Sequence, residues 1–159
     1  MSNEIQLKTT INGIEYDLTV PARLLASDFL RDNLNLTGTH VGCEHGICGS
    51  CTIKIDGLTA RSCLKFAVQL DGKKVETVES FKEKPETRNI LEKFKAHHSL
   101  QCGFCTPGFL MIIDELLKSK IKFSENEIRE ALSGNLCRCT GYENIIKAAK
   151  EILAHKGIK

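Results

Sequence analysis

The eight cysteines of this 159-residue chain constrain its fold more than any other feature, because they fall into two separate sets of four. The first is Cys43-x4-Cys48-x2-Cys51-x11-Cys63 and the second is Cys102-x2-Cys105-x31-Cys137-x1-Cys139. The N-terminal stretch MSNEIQLKTT lacks the charged lead and apolar core of a secretory signal, and the longest apolar run, FLMII, is too short to span a bilayer. The chain is therefore expected to be soluble and cytoplasmic. In that reducing setting cysteines read as metal ligands or redox thiols rather than as a disulfide framework. A formal net charge of +2, with no basic patch interleaved with aromatics, points away from nucleic acid and anionic membranes as partners.

The length allows one ordinary domain or two small ones, and small domains with thin cores need staples. The pattern along the chain favours two domains. Asn12-Gly13 between EIQLKTT and IEYDLTV, and Asp56-Gly57 within TIKIDGLTARS, predict two hairpins. Between them LLASDFLRDNLN places Leu24, Leu25, Phe29, Leu30 and Leu34 at helical spacing, and KKVETVE reads as a last strand. Residues 1–79 thus form a small α+β domain, and the polar segment 80–86, with Pro85, links it to a second domain.

Residues 87–159 read as a four-helix, all-α domain. RNILEKFKAHH carries Ile90, Leu91 and Phe94, and PGFLMIIDELLKSK is apolar around most of its circumference, as a central helix must be. SENEIREALSGN opens on the capping box Ser124-x-x-Glu127 and closes at Gly134. TGYENIIKAAKEILAHKG opens on Thr140-x-x-Glu143 and lines up Ile145, Ala148, Ala149, Ile152 and Leu153 on one face. His97 and His98 are neighbours on a helix end and point apart, so they read as dipole-complementing residues rather than ligands.

The first cysteine set has the plant-type spacing for a 2Fe–2S cluster. Four thiolates and two sulfides around two ferric ions leave a net charge of about −2, which a tight loop of backbone N–H donors offsets. Gly42, Gly46 and Gly49 allow that loop to curl. Structural zinc is the competing occupant, although it is usually gripped by two C-x2-C knuckles. His45 and Glu44 read as solvated loop residues.

In the second set, Thr106-Pro107 and Thr140 are expected to cap two helices, so that each cysteine pair lies just ahead of a helix N-terminus. With these ends together, four sulfurs and two positive helix ends converge, a setting for an anionic cluster. Two alternatives compete. Cys-Gly-Phe-Cys before a helix also fits a dithiol oxidoreductase, since that position lowers a thiol pKa. However, such enzymes follow a strand of a βαβ unit, and the segment ahead of Cys102 reads as helix and loop. A zinc-stabilised interaction module fits the four sulfurs as well.

Taken together, GCEHGICGSCT, RSC, QCGFCTPG and SGNLCRCTGY closely resemble the small iron–sulfur subunit of the molybdenum hydroxylases, a family of xanthine dehydrogenases, aldehyde oxidoreductases and aerobic carbon monoxide dehydrogenases. The resemblance runs over nearly the whole chain. It implies a β-grasp, plant-type ferredoxin domain followed by a four-helix-bundle domain, each with one 2Fe–2S cluster. It assigns Cys43, Cys48, Cys51 and Cys63 to the cluster nearer flavin, and Cys102, Cys105, Cys137 and Cys139 to the cluster nearer molybdopterin. It also places Gln101 and Cys139 beside the pterin of a large molybdenum subunit. A medium subunit is expected to carry FAD, in a heterotrimer or a dimer of heterotrimers.

On this resemblance the chain moves electrons while substrate is oxidised on the large subunit. In keeping with that, no triad or carboxylate pair for acid–base catalysis is found here. The segments TGTHVGCEHGICGSCT and RSCLKFAVQLDG resemble most the small chains that serve an aldehyde or carbon monoxide substrate. Purine and nicotinate-type N-heterocycle hydroxylases are the alternative.

Overall fold

β1 (Glu4–Ile11) and β2 (Ile14–Pro21) pair antiparallel along their whole length. Asn12 and Gly13 connect them with φ of 52° and 85°, the left-handed pair whose twist suits a two-residue hairpin. The second predicted hairpin joins β3 (Thr52–Ile55) to β4 (Leu58–Arg61) through Asp56 and Gly57, with φ of 51° and 89°. β5 (Lys74–Glu76) runs parallel to β1 and antiparallel to β3, so the sheet is mixed, in the order β2-β1-β5-β3-β4. These features belong to a computed structural model that describes residues 3–119 and 121–154. The end of the expected last helix, residues 155–157, lies outside them.

The helix predicted from Leu24 to Leu34 is shorter than its spacing suggests. Only Ala26–Asp28 is α-helical (α1), and it widens into a π-turn over Phe29–Asn33 that closes with Leu34 N–H on the Phe29 carbonyl at 3.2 Å. Leu24 and Leu25 are held outside it. The Leu24 carbonyl accepts from Ala67 N–H at 2.7 Å, and Leu25 bridges to Phe66. Even so, Ala26, Phe29 and Leu30 are buried against Leu7, Ile11, Ile53 and Val75 of the sheet.

Past β5 the chain makes a 3₁₀ turn over Val78–Lys82. Ser80 and Phe81, within the segment read as a polar linker, are buried there, and Phe81 packs into the helical core. Four helices follow: α2 (Pro85–Ala96), α3 (Thr106–Lys118), α4 (Glu125–Leu132) and α5 (Glu143–Ala154). The architecture is α+β. As expected, α3 is central, with every residue from Pro107 to Asp114 buried. The Ser124 capping box forms: its hydroxyl accepts from Glu127 N–H at 3.3 Å while the Glu127 carboxylate accepts from Ser124 N–H at 2.7 Å.

α3 also crosses β3 and β4, which joins the two halves. Successive residues of a strand face opposite ways. Ile53 therefore reaches the core over α1, while Lys54 on the other face meets Asp114 of α3. Lys54 also pairs with Glu76 at 2.7 Å, and Glu115 of α3 accepts Thr59 N–H at 2.8 Å.

Candidate metal centres

The first set lies on the irregular loop ahead of β3 and on the short turn after β4. Glu44, Gly46 and Gly49 have φ of 56°, 83° and 78°, and these left-handed turns curl the loop around Cys43. Cys48 N–H points at Cys43 Sγ at 3.4 Å. That donor, with the N–H groups of His45 and Ile47, pulls the Cys43 thiol down to about 6. Cys51 and Cys63 are buried. Burial pushes the Cys63 thiol up to about 11, and the adjoining Cys51 thiol adds to the rise.

The second set joins the turn ahead of α3 to the turn ahead of α5. Cys102 and Cys139 are exposed, with sulfurs 3.5 Å apart. Cys105 and Cys137 lie deeper. Burial, then the neighbouring Cys137 thiol, pushes Cys105 up to about 12. Burial likewise raises Cys137, but donors from Thr140 and Cys139 outweigh it and hold that thiol below its usual value. The Thr140 hydroxyl is 3.0 Å and its N–H 3.4 Å from Cys137 Sγ.

Both predicted threonine caps are corrected by this geometry. Cys105, not Thr106, occupies the cap position of α3, and the Thr106 hydroxyl is buried with no hydrogen-bond partner among the described residues. Thr140 forms no capping box with Glu143, which faces Arg129 at 3.5 Å. Gly141 and Tyr142, with φ of 64° and 68°, lead the chain away from helical conformation, so the Thr140 hydroxyl serves the Cys137 thiol and Tyr142 N–H instead.

The thiols of each set stand in two pairs: Cys43 by Cys48 and Cys51 by Cys63; Cys102 by Cys139 and Cys105 by Cys137. Two pairs suit a dinuclear cluster with two thiolates per iron, and N–H donors at sulfur suit its negative charge. Among the described residues no three ligating side chains gather about one point. The residues present fit a 2Fe–2S cluster in each half.

The two loops touch. Leu136 N–H donates to the Cys48 carbonyl at 2.9 Å, and Arg61, two residues before Cys63, donates to the Gly134 carbonyl at 2.7 Å. His40 stacks on Phe104 with centroids 4.8 Å apart and bonds the Phe104 carbonyl through Nδ1 at 2.8 Å. Asn135 is fully buried between them against Gly49 and Gly108.

Gln101 is exposed at the same edge as Cys102 and Cys139. His45 is an exposed loop residue whose Nδ1 contacts the Cys43 carbonyl, and His97 pairs with Glu151. Tyr142 packs inward, edge-on to Phe109, with its hydroxyl accepting Cys137 N–H at 2.9 Å. Asn135 and the role of Thr140 were not foreseen; only their closeness to Cys137 in sequence pointed to them.

Residues 32–99 match the family described as "2Fe-2S iron-sulfur cluster binding domain", and residues 77–150 match "[2Fe-2S] binding domain". The chain is 51% identical over 155 residues to caffeine dehydrogenase subunit gamma of Pseudomonas sp. (strain CBB1), covering 96% of this chain and 92% of that one. It is 46% identical over 158 residues to the nicotine 6-hydroxylase small subunit of Paenarthrobacter nicotinovorans, covering 99% and 95%. Among solved structures, a chain of quinoline 2-oxidoreductase from Pseudomonas putida 86 superposes with a TM-score of 0.91 at 44% identity, over 98% of this chain and 97% of that one.

Proposed function

The chain belongs to the small iron–sulfur subunits of the molybdenum hydroxylases, and from that premise we propose that it is the two-cluster electron-transfer subunit of such an enzyme. In this reading residues 1–79 are a β-grasp ferredoxin domain holding one 2Fe–2S cluster on Cys43, Cys48, Cys51 and Cys63. Residues 87–159 are a helical domain holding a second on Cys102, Cys105, Cys137 and Cys139, with 80–86 between them. The observation that carries the reading is the arrangement of thiols: two neighbouring pairs in each half, on loops joined by the Leu136–Cys48 hydrogen bond.

Bound clusters supply one-electron transfer between the molybdenum centre of a large partner and FAD on a medium partner. The protein's own residues do the rest. Backbone N–H groups at Cys43 and Cys137 offset cluster charge, and burial of Cys51, Cys63 and Cys105 excludes water. Cys102, Cys139 and Gln101 form an exposed edge that would meet the pterin. Ile47 and Leu64, 60% and 58% exposed beside the first set, would face the flavin subunit. A heterotrimer, single or doubled, is the assembly this reading implies.

The relatives named for caffeine, nicotine and quinoline share an N-heterocyclic ring. That class is favoured for the assembled enzyme over the aldehyde or carbon monoxide suggested by the loop segments. The test is low-temperature EPR of the anaerobic, dithionite-reduced protein with iron and zinc analysis. Two distinct 2Fe–2S signals are expected; zinc without iron would overturn the reading. Turnover of purines, pyridines and quinolines against aldehydes by the co-purified complex then tests the substrate class.

A further inference from the structure

Lys54 and Asp114 each lie on the element that leaves one cysteine set. Lys54 is three residues past Cys51 on β3, and Asp114 is nine residues past Cys105 on α3. Their side chains are 0% and 1% exposed and form an ion pair. Lys54 also reaches Glu76 at 2.7 Å, and Asp114 receives Lys118 at 3.0 Å. Asp114 Oδ1 has no hydrogen-bond partner among the described residues, so this carboxylate is held through Oδ2 alone.

A pair buried this deeply contributes little net stability, because desolvation offsets the attraction and apolar residues of similar size often serve as well. Its effect is on registry. An apolar contact tolerates sliding, but a shift of α3 along β3 pulls two fully buried opposite charges apart in the interior, where the half-exposed Lys118 and the partly exposed Glu76 replace the lost attraction only in part, and that is unfavourable. A buried polar pair has this same role in fixing coiled-coil register.

We propose that Lys54 and Asp114 are a positioning pair that fixes how α3, with the second cysteine set, seats on the strand that follows the first, and so sets the separation and orientation of the two clusters. The proposal rests on the two-cluster reading given above. The cluster loops touch through Leu136 and Cys48, so clusters held on them would be expected to interact magnetically when both are reduced.

The test compares the cluster-loaded wild-type complex with Lys54→Met/Asp114→Leu, which removes both charges and leaves neither unpaired. The readouts are the magnetic interaction between reduced clusters, seen by EPR as splitting or enhanced relaxation, and amide hydrogen exchange in β3 and α3. The variant is expected to keep its iron and both cluster signals. Its interaction should broaden into a distribution, and exchange in both elements should quicken. An unchanged interaction with unchanged exchange would overturn the proposal. If the double variant does not fold, Asp114→Asn decides, because Lys54 keeps Glu76 there: broadening supports the proposal, and wild-type behaviour overturns it. A wild type lacking a second cluster signal is a different failure, that of the two-cluster reading itself.

Discussion

Leu136 donates its backbone N–H to the carbonyl oxygen of Cys48 at 2.9 Å. Leu136 adjoins Cys137, so this one hydrogen bond links a cysteine of the first set to the neighbour of a cysteine of the second. The approach is this close because the facing positions carry no side chain. A Cβ on Gly108 would stand 2.3 Å from the Gly49 carbonyl oxygen, and one on Gly49 would stand 2.0 Å from Asn135 Oδ1. At Gly49 and Gly108 the halves therefore meet backbone against backbone, beside the side-chain contacts that Arg61, His40 and Lys54 make across them.

Gly108→Ala tests that contact. The new methyl meets a backbone oxygen that cannot swing aside, so the halves must separate locally. The expected cost is about 1–3 kcal/mol, the range for overpacking, with a lower anaerobic thermal midpoint and weaker magnetic interaction between clusters. Gly103→Ala is the contrast. Its φ is 81° but nothing lies within 4 Å of the added Cβ, so only the left-handed penalty of about 1–2 kcal/mol applies, and the interaction should persist.

Cys102→Ser separates the two centres by composition. Cys102 is exposed and pairs with Cys139, whereas the first set shares no thiol with it. The expected result is loss or reshaping of one EPR signal and lower iron content, with the other signal unchanged. Loss of both signals from a folded protein would contradict one cluster per half.

What could be read from the sequence was local. The cysteine spacing, the two left-handed hairpin turns and the Ser124 capping box each depend on a few adjacent residues. The features that needed the fold were misread. Thr140 looked like a cap because Glu143 follows it at the right spacing, yet Cys137 sits close enough to take its hydroxyl. Lys54 lies on the polar side of an alternating strand, and α3 covers that side as well. Lys54 was not singled out, since the pattern carries no record of what packs on the second face. Phe81 sat among lysines and glutamates and read as linker for the same reason.

Glu76 gives the pH dependence a sign. Burial alone would raise its pKa, but hydrogen bonds from Lys54 and Lys84 outweigh that and hold the carboxyl at about 2, against 4.5 for a free one. Between these values the unfolded chain binds more protons than the folded one, so stability rises with pH there. The contribution is complete above 4.5 and is lost as pH falls toward about 2. Glu76→Gln should flatten this part of the acid-unfolding curve relative to wild type while leaving the difference between the two constant above it.

Phe81→Ala tests whether the segment between the halves is a spacer or part of the core. Phe81 is 1% exposed and packs among the buried residues of the helical half, although it precedes the first helix of that half. Around it Ser80 is buried, and the Thr87 hydroxyl bonds the Phe81 carbonyl at 2.8 Å, which ties the turn to the start of α2. Removing a ring from such a site should cost about 3–5 kcal/mol, through lost transfer energy and the cavity left behind. A flexible spacer would give an effect within about 0.5 kcal/mol, the range expected for Leu58→Ala at an exposed turn-side position. The anaerobic thermal midpoint of the two variants, measured side by side, distinguishes the cases. The core reading requires Phe81→Ala to fall well below Leu58→Ala, with the second cluster signal weakening first, because the lost ring supports α2 and α3 rather than the sheet.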